Sequence, residues 1–266
     1  MLRVMWWLFV LMALAFGMKA RADQDARQFV QQAVNDELAK DEADHSHWIY
    51  FEKDQKGNHQ VKQWVAETKN GNLKRVVQMD GQAIAPDEQR RRLEAYLRDS
   101  GSQTKQRKSE QHDDKQAEEM LQLLPKAFLW TNEGEKGSNR VLHFKPDPNF
   151  RPPDMEARVF AAMEGDMLVD TKEHRIASLK GKLIQDVKIF GGLLGSLNSG
   201  GTFDVERRQT GPTVWQITET HVHIQGHALL FHTISEQEDD VKSEFKQLPA
   251  DITMQQAKGE LIEARQ

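Results

Sequence analysis

The chain has 266 residues, a formal net charge of −5 and 29% charged side chains of both signs. That balance lacks the basic footprint of a nucleic-acid binder and excludes that class. Cysteine is absent, which excludes disulfides and the cysteine-linked lipid of a bacterial lipoprotein, while the length is enough for a core that stands without staples.

Residues 1–22 read as a cleavable secretory signal. Arg3 and the free amino terminus form a positive n-region, Val4 to Phe16 is an unbroken apolar run, and Ala20-Arg21-Ala22 is an A-x-A cleavage site. The run is shorter than the roughly 18 apolar residues of a membrane span, although Lys19 and Arg21 favour a retained segment. The expected mature chain begins near Asp23, periplasmic or secreted, as a single α+β domain over 23–266 that contacts membranes only peripherally.

Asp25 to Lys40 places Phe29, Val30, Ala33, Val34 and Leu38 on one helical face and predicts an amphipathic helix. Aromatic and β-branched runs at His47 to Glu52, Val61 to Thr68 and Leu73 to Met79 predict strands, with Asn70-Gly71 and Asp80-Gly81 as type I′ hairpin signals. Ala85-Pro86-Asp87-Glu88 opens a helix that runs through Leu93 and Leu97 to about Asp99. Ser100-Gly101-Ser102 breaks the pattern, and a second helix is expected from Glu110 to Leu124, within a polar helical insertion at about 99–124.

From Phe128 to Leu248 the chain reads as β. Runs at Phe128 to Thr131, Val141 to Lys145, Ala157 to Met163, Met167 to Asp170, Arg175 to Leu179, Leu183 to Phe190, Thr202 to Arg208, Val214 to Ile224, Ala228 to Ile234 and Val241 to Gln247 are separated by turn signals. Among the separators are Gly165-Asp166 and Gln225-Gly226. Short strands at this spacing without interleaved helices predict an antiparallel sheet or open barrel, closed off by a terminal helix over Asp251 to Ala264.

Chemistry-bearing motifs are weak. His221-x-His223, with His227 and His232 nearby, puts alternate histidines on one strand face, but no carboxylate or cysteine sits at ligand spacing and no H-E-x-x-H occurs, so no metal is expected. Ser196 and Ser199 lack the strand-Gly-x-Ser-x-Gly-helix elbow, and their glycine-rich loop lacks the Gly-Lys-Ser/Thr ending of a phosphate cradle. Acidic runs such as Glu238-Asp239-Asp240 read as solvated faces. No catalytic residue and no cofactor are assigned.

Two features point to apolar binding instead. Gly191 to Gly201 joins deformable glycines to Leu193, Leu194 and Leu197, an apolar lip at a cavity mouth or leucines tucked under the sheet. Trp48, Tyr50, Trp64, Trp130 and Trp215 lie on expected strands, where they line a ligand pocket or fill the core.

The order of elements from Trp48 to Arg91, through Asn70-Gly71, Leu73-Lys74-Arg75-Val76-Val77-Gln78-Met79 and Asp80-Gly81 to a charged helix start, resembles the opening of the periplasmic LolA/LolB lipoprotein-carrier superfamily, including the amino-terminal domain of RseB/MucB. That resemblance implies a curved antiparallel sheet, an unclosed barrel, with helices covering its concave face. It also implies a lipid or lipoprotein as partner, bound by its acyl chains without catalysis. No short motif of the family matches residue by residue, so no ligand-binding residue is carried over. The alternatives from the residues themselves are an envelope protein-interaction or signalling module with a filled core, and a hydrolase whose site is dispersed.

Overall fold

The computed structural model describes residues 2–189, 195–228 and 232–264, with side chains at 23–188, 195–226 and 237–264. An antiparallel sheet of 13 strands, not closed into a barrel, is combined with five helices, an α+β architecture.

The chain enters through α1 (Leu2–Ala43). It then forms β1 (His47–Lys56), β2 (His59–Ala66), β3 (Leu73–Met79) and the short edge strand β4 (Gln82–Ala83). Helices α2 (Pro86–Arg98) and α3 (Ser100–Ala127) follow. The opposite wing is a meander of β5 (Phe128–Lys136), β6 (Asn139–Pro146), β7 (Met163–Asp170) and β8 (Ile176–Leu183), with α4 (Met155–Phe160) between β6 and β7. After a hairpin of β9 (Val187–Ile189) and β10 (Gly195–Leu197), the strands β11 (Thr202–Gln209), β12 (Trp215–Ala228) and β13 (His232–Leu248) return to pair with β1. Helix α5 (Met254–Glu263) ends the chain.

Two apolar clusters hold the wings. On α1, Ala26, Val30, Ala33 and Val34 recur at helical spacing and pack onto Phe128, Trp130, Leu142, Phe144, Met167 and Leu183 of β5–β8. Phe144 sits 4.7 Å from Phe128 and 5.4 Å from Trp130 between ring centroids. On the other wing Ile49, Trp64, Ala66 and Leu73 pack with Leu93 of α2 and with Ala257 and Leu261 of α5. Strand alternation sends Tyr50 to the opposite face from Ile49 and Phe51, so α2 and α5 cover one face of β1–β3 while Tyr50 points to the other.

Helix α3 carries the chain from the β4 edge to the β5 edge; its 28 residues span roughly 42 Å at 1.5 Å per residue. Both ends are tied down. Gln106 donates to the Asn72 carbonyl at 2.8 Å, and at the far end Leu124 and Ala127 are buried while Trp130 Nε1 donates to the Leu124 carbonyl at 3.0 Å. Between these anchors, residues 111–119 are all exposed. A helix polar all round is a span through solvent, here supported by i,i+4 pairs such as Glu118 with Gln122.

The structure departs from the sequence expectations at identifiable points. The polar insertion is helical from Ser100, not from Glu110, because the Asp99 carboxylate caps it by accepting from Ser102 N at 2.9 Å and Ser102 Oγ at 2.7 Å. The run expected as a strand at Ala157 to Met163 is largely helix α4, nucleated by Asp154, which accepts from Ala157 N at 2.7 Å. The expected strand Leu183 to Phe190 splits between β8 and β9, and Phe190 lies outside the described residues. Asp80-Gly81 has positive φ at both residues, as a type I′ turn needs, but at Asn70-Gly71 only Gly71 does; Thr68 Oγ1 closes that turn by donating to the Gly71 carbonyl at 2.7 Å.

Gly165-Asp166 and Gln225-Gly226 are not turns; both lie within strands. Their glycines permit close backbone approach. A Cβ on Gly165 would lie 1.9 Å from the Lys180 carbonyl oxygen. We expect Gly165→Ala to destabilise the fold by about 1–3 kcal/mol or more, since the obstacle is backbone. A denaturation midpoint equal to that of the parent chain would contradict that approach.

Candidate functional site: an apolar cavity with an acidic rim

The helices leave the middle of the sheet uncovered. Helix α1 packs over β5–β8, α2 and α5 lie on the far face of β1–β3, and the inward residues of β11, β12, β13 and β1 border a cavity of about 1420 Å³ roofed by α1, α3 and α4.

Its apolar lining comes from all sides. Leu38 descends from α1, Leu121 and Leu124 from α3, Val159 and Phe160 from α4, and Phe203 and Val205 alternate on β11. Trp215, Ile217 and Ile224 line it from β12, Phe245 from β13 and Tyr50 from β1. Phe203 and Val205 are only half-buried, because the surface they face is the cavity and not a packed helix.

Part of the wall is fixed by ions. Glu37 on α1 is completely buried and accepts from Arg175 Nε at 3.1 Å, Arg175 Nη2 at 2.5 Å, the Ile176 amide at 3.1 Å and Arg207 Nη1. Arg207 also donates to the Trp215 carbonyl at 3.1 Å, and burial pulls its guanidinium down to about 10. Its Nε and the Trp215 indole nitrogen are buried without a hydrogen-bond acceptor among the described residues. Asp41 joins the network through Arg175 Nη2 at 2.8 Å, yet burial raises its carboxyl above the ordinary range despite that cation.

Another part of the wall is aromatic and acidic. Tyr50 packs against Phe245 at 5.3 Å, with the Lys242 ammonium 5.5 Å from its ring centroid. Burial, reinforced by Glu67, Glu52, Asp240 and Glu110, pushes the Tyr50 phenol well above its usual value. Glu67 accepts from the Trp48 amide at 2.9 Å. Burial raises its carboxyl from 4.5 to about 7, against the lowering pull of that amide and of Lys242.

Of the expected site residues, Tyr50, Leu197 and Trp215 line the cavity. Trp48 does not: it is buried beside Val65, Val214 and Phe245 with Nε1 bonded to Ser46 Oγ at 2.8 Å. Trp64 faces α2 and α5, and Trp130 lies in the core below α1. Leu193 and Leu194 lie outside the described residues. On the remaining histidine motif, His221 Nδ1 and His223 Nε2 share Asp239 Oδ1 at 2.6 and 3.0 Å; among the described residues no three such groups converge to hold a metal ion.

Sequence reading missed Phe203, Val205, Arg207 and Ile217. The alternation Phe203-x-Val205-x-Arg207 signals a strand with one apolar face, but not that the face is left without a helix. It also missed Glu67, which carries no motif.

Comparison with protein-family models, curated proteins and solved structures yields no match. The functional reading therefore rests on this geometry.

Proposed function

We propose that the protein is an exported, non-catalytic carrier that holds the acyl chain of a lipid or lipidated partner between its sheet and its helices. The observation that carries this is the cavity of about 1420 Å³, which exceeds the roughly 300–1,000 Å³ of ordinary small-molecule sites. Its walls are leucine, isoleucine, valine and aromatic side chains from three helices and from strands of the sheet. A chain of about twelve methylenes buried there gains roughly 10 kcal/mol before ordering costs, at about 0.8 kcal/mol per CH₂. Such affinity needs no polar motif, in keeping with a sequence that carries none. An open antiparallel sheet combined with helices is also what the LolA/LolB resemblance implies, and the space between them argues against a module with a filled core.

Export belongs to the same reading. Ala26 is the first described core residue on α1, so cleavage after Ala22 leaves the described core intact. Amino-terminal sequencing of the chain from its own cell envelope is expected to begin at Asp23.

Binding is tested with the neutral fluorophore N-phenyl-1-naphthylamine. The protein is expected to enhance its emission at a stoichiometry near one, and Val205→Trp, which places an indole in the cavity, is expected to abolish the enhancement without lowering the melting temperature. Absence of enhancement in the parent chain, together with a lipid-free mass by native mass spectrometry, overturns the carrier reading and turns attention to a protein partner.

A further inference from the structure

The charge of the cavity lining is one-sided. Its two cations are already matched: Arg207 pairs with Glu37 and Asp41, and Lys242 lies 3.3 Å from Asp240 and 3.9 Å from Glu52. Six carboxylates of the lining, Glu42, Asp44, Glu67, Asp114, Glu118 and Glu156, form no ion pair among the described residues. They come from the end of α1 and the segment after it, from the turn after β2, and from α3 and α4, so several elements bring negative charge to the lining.

A second observation points inward. Tyr50 is 6% exposed and lines the cavity, yet its hydroxyl has no hydrogen-bond partner among the described residues. Phe160, Phe203, Trp215 and Phe245 line the same cavity, with the Phe245 ring 5.3 Å from that of Tyr50. Aromatic rings and carboxylates without an ion pair in one lining form surroundings that attract an ammonium group, through the ring quadrupole and through charge. The same surroundings repel a carboxylate or phosphate head, which would meet six like charges and no free cation.

We propose that the cavity selects amphiphiles whose polar end is cationic, an ammonium group attached to a hydrocarbon chain, and discriminates against anionic heads. This rests on the carrier reading above. The hydrocarbon supplies most of the affinity and the rim decides which head is admitted.

The test displaces N-phenyl-1-naphthylamine at pH 8 and low salt with three probes of equal chain length, each below its micellar concentration: dodecyltrimethylammonium, dodecylphosphocholine and laurate. The cation is expected to displace the dye at about tenfold lower concentration than laurate, with the zwitterion between them, and added salt is expected to narrow the gap. The triple variant Glu67→Gln, Asp114→Asn, Glu118→Gln is expected to bring cation and laurate within about threefold of each other. Its far-ultraviolet circular dichroism, expected to match the parent, shows that it is folded, and each displacement is read against the variant's own dye saturation. Equal displacement by the two heads, a preference for laurate, or a cation preference that survives the triple variant overturns head selection and leaves the carrier reading standing. Failure of the parent chain to take up the dye overturns both.

Discussion

Glu37→Gln is expected to lower the unfolding free energy by about 3–5 kcal/mol, because it removes the charge that compensates two buried guanidinium groups. Glu37 is completely buried, and the side chains of Arg175 and Arg207 are only 3% and 13% exposed. The carboxylate accepts four donors that reach it from β8, β11 and the residue preceding β8. Glutamine keeps the shape but turns one acceptor into a donor facing donors. Asp41, half exposed, is then left as the counter-charge for both arginines. The check is chemical denaturation of the parent and variant chains. A loss under about 1 kcal/mol would mean that solvent already reaches the network and that apolar packing alone seats α1. Replacing Glu37 and Arg175 together by leucine and methionine is expected to recover part of the loss, since removing a buried pair costs less than orphaning one partner. The consequence reaches function: Arg207 and Asp41 both border the cavity, so the contact that anchors α1 also shapes one wall of the site.

Much of the fold was legible because its local signals agree with its packing. Val30, Ala33 and Val34 show the helical face that meets Phe128 and Phe144, and Asp80-Gly81 makes the turn its residues specify. Errors arose where a polar side chain outweighed composition. Asp99 and Asp154 each cap a helix whose first turn reads as a break or as a strand, since Gly101 suggests interruption and Val159-Phe160 suggests β structure. Glycine misled in the opposite direction. Gly165 and Gly226 resemble turn residues, yet they lie inside strands, where a Cβ would collide with the backbone of Lys180 and Ser196.

The site was legible only in its chemistry class. Aromatic strand residues suggested an apolar pocket, and Tyr50 and Trp215 do border one. Trp48, Trp64 and Trp130 follow the same alternation but meet packed neighbours, because strand parity chooses a face and says nothing of what covers it. Cover is decided by connections far apart in the chain. Helix α3 has to run from the β4 edge to the β5 edge, and that crossing opens a space above β11–β13. Its residues 111–119 read as a solvated insertion and are solvated. Their position over the cavity follows from the sheet order, which pairs β1 with β13 and which no local pattern encodes.

The second large effect is a pH dependence. Glu67 titrates at about 7 in the folded chain against 4.5 ordinarily, chiefly through burial, with Lys242 of β13 opposing the shift and Asp44 and Glu110 of α3 adding to it. Between about pH 4.5 and 7 the folded chain retains a proton that the unfolded chain has released. Stability contributed by this site therefore falls as pH rises through that window and is level above it, a total of roughly 3 kcal/mol. Glu67→Gln retains an acceptor for the Trp48 amide and carries no charge. It is expected to match the parent chain near pH 4.5 and to exceed it by up to about 3 kcal/mol at pH 8, measured by denaturant titration across that range. A difference between the two chains that does not vary with pH would place the Glu67 carboxylate in solvent. A parent chain that stays below its neutral variant at pH 8 accepts a charged group at a cost to its own stability. Stability alone gives no reason to keep a carboxylate there, and a cationic cargo at the rim supplies one, since it would stabilise the charged form and return part of that cost on binding.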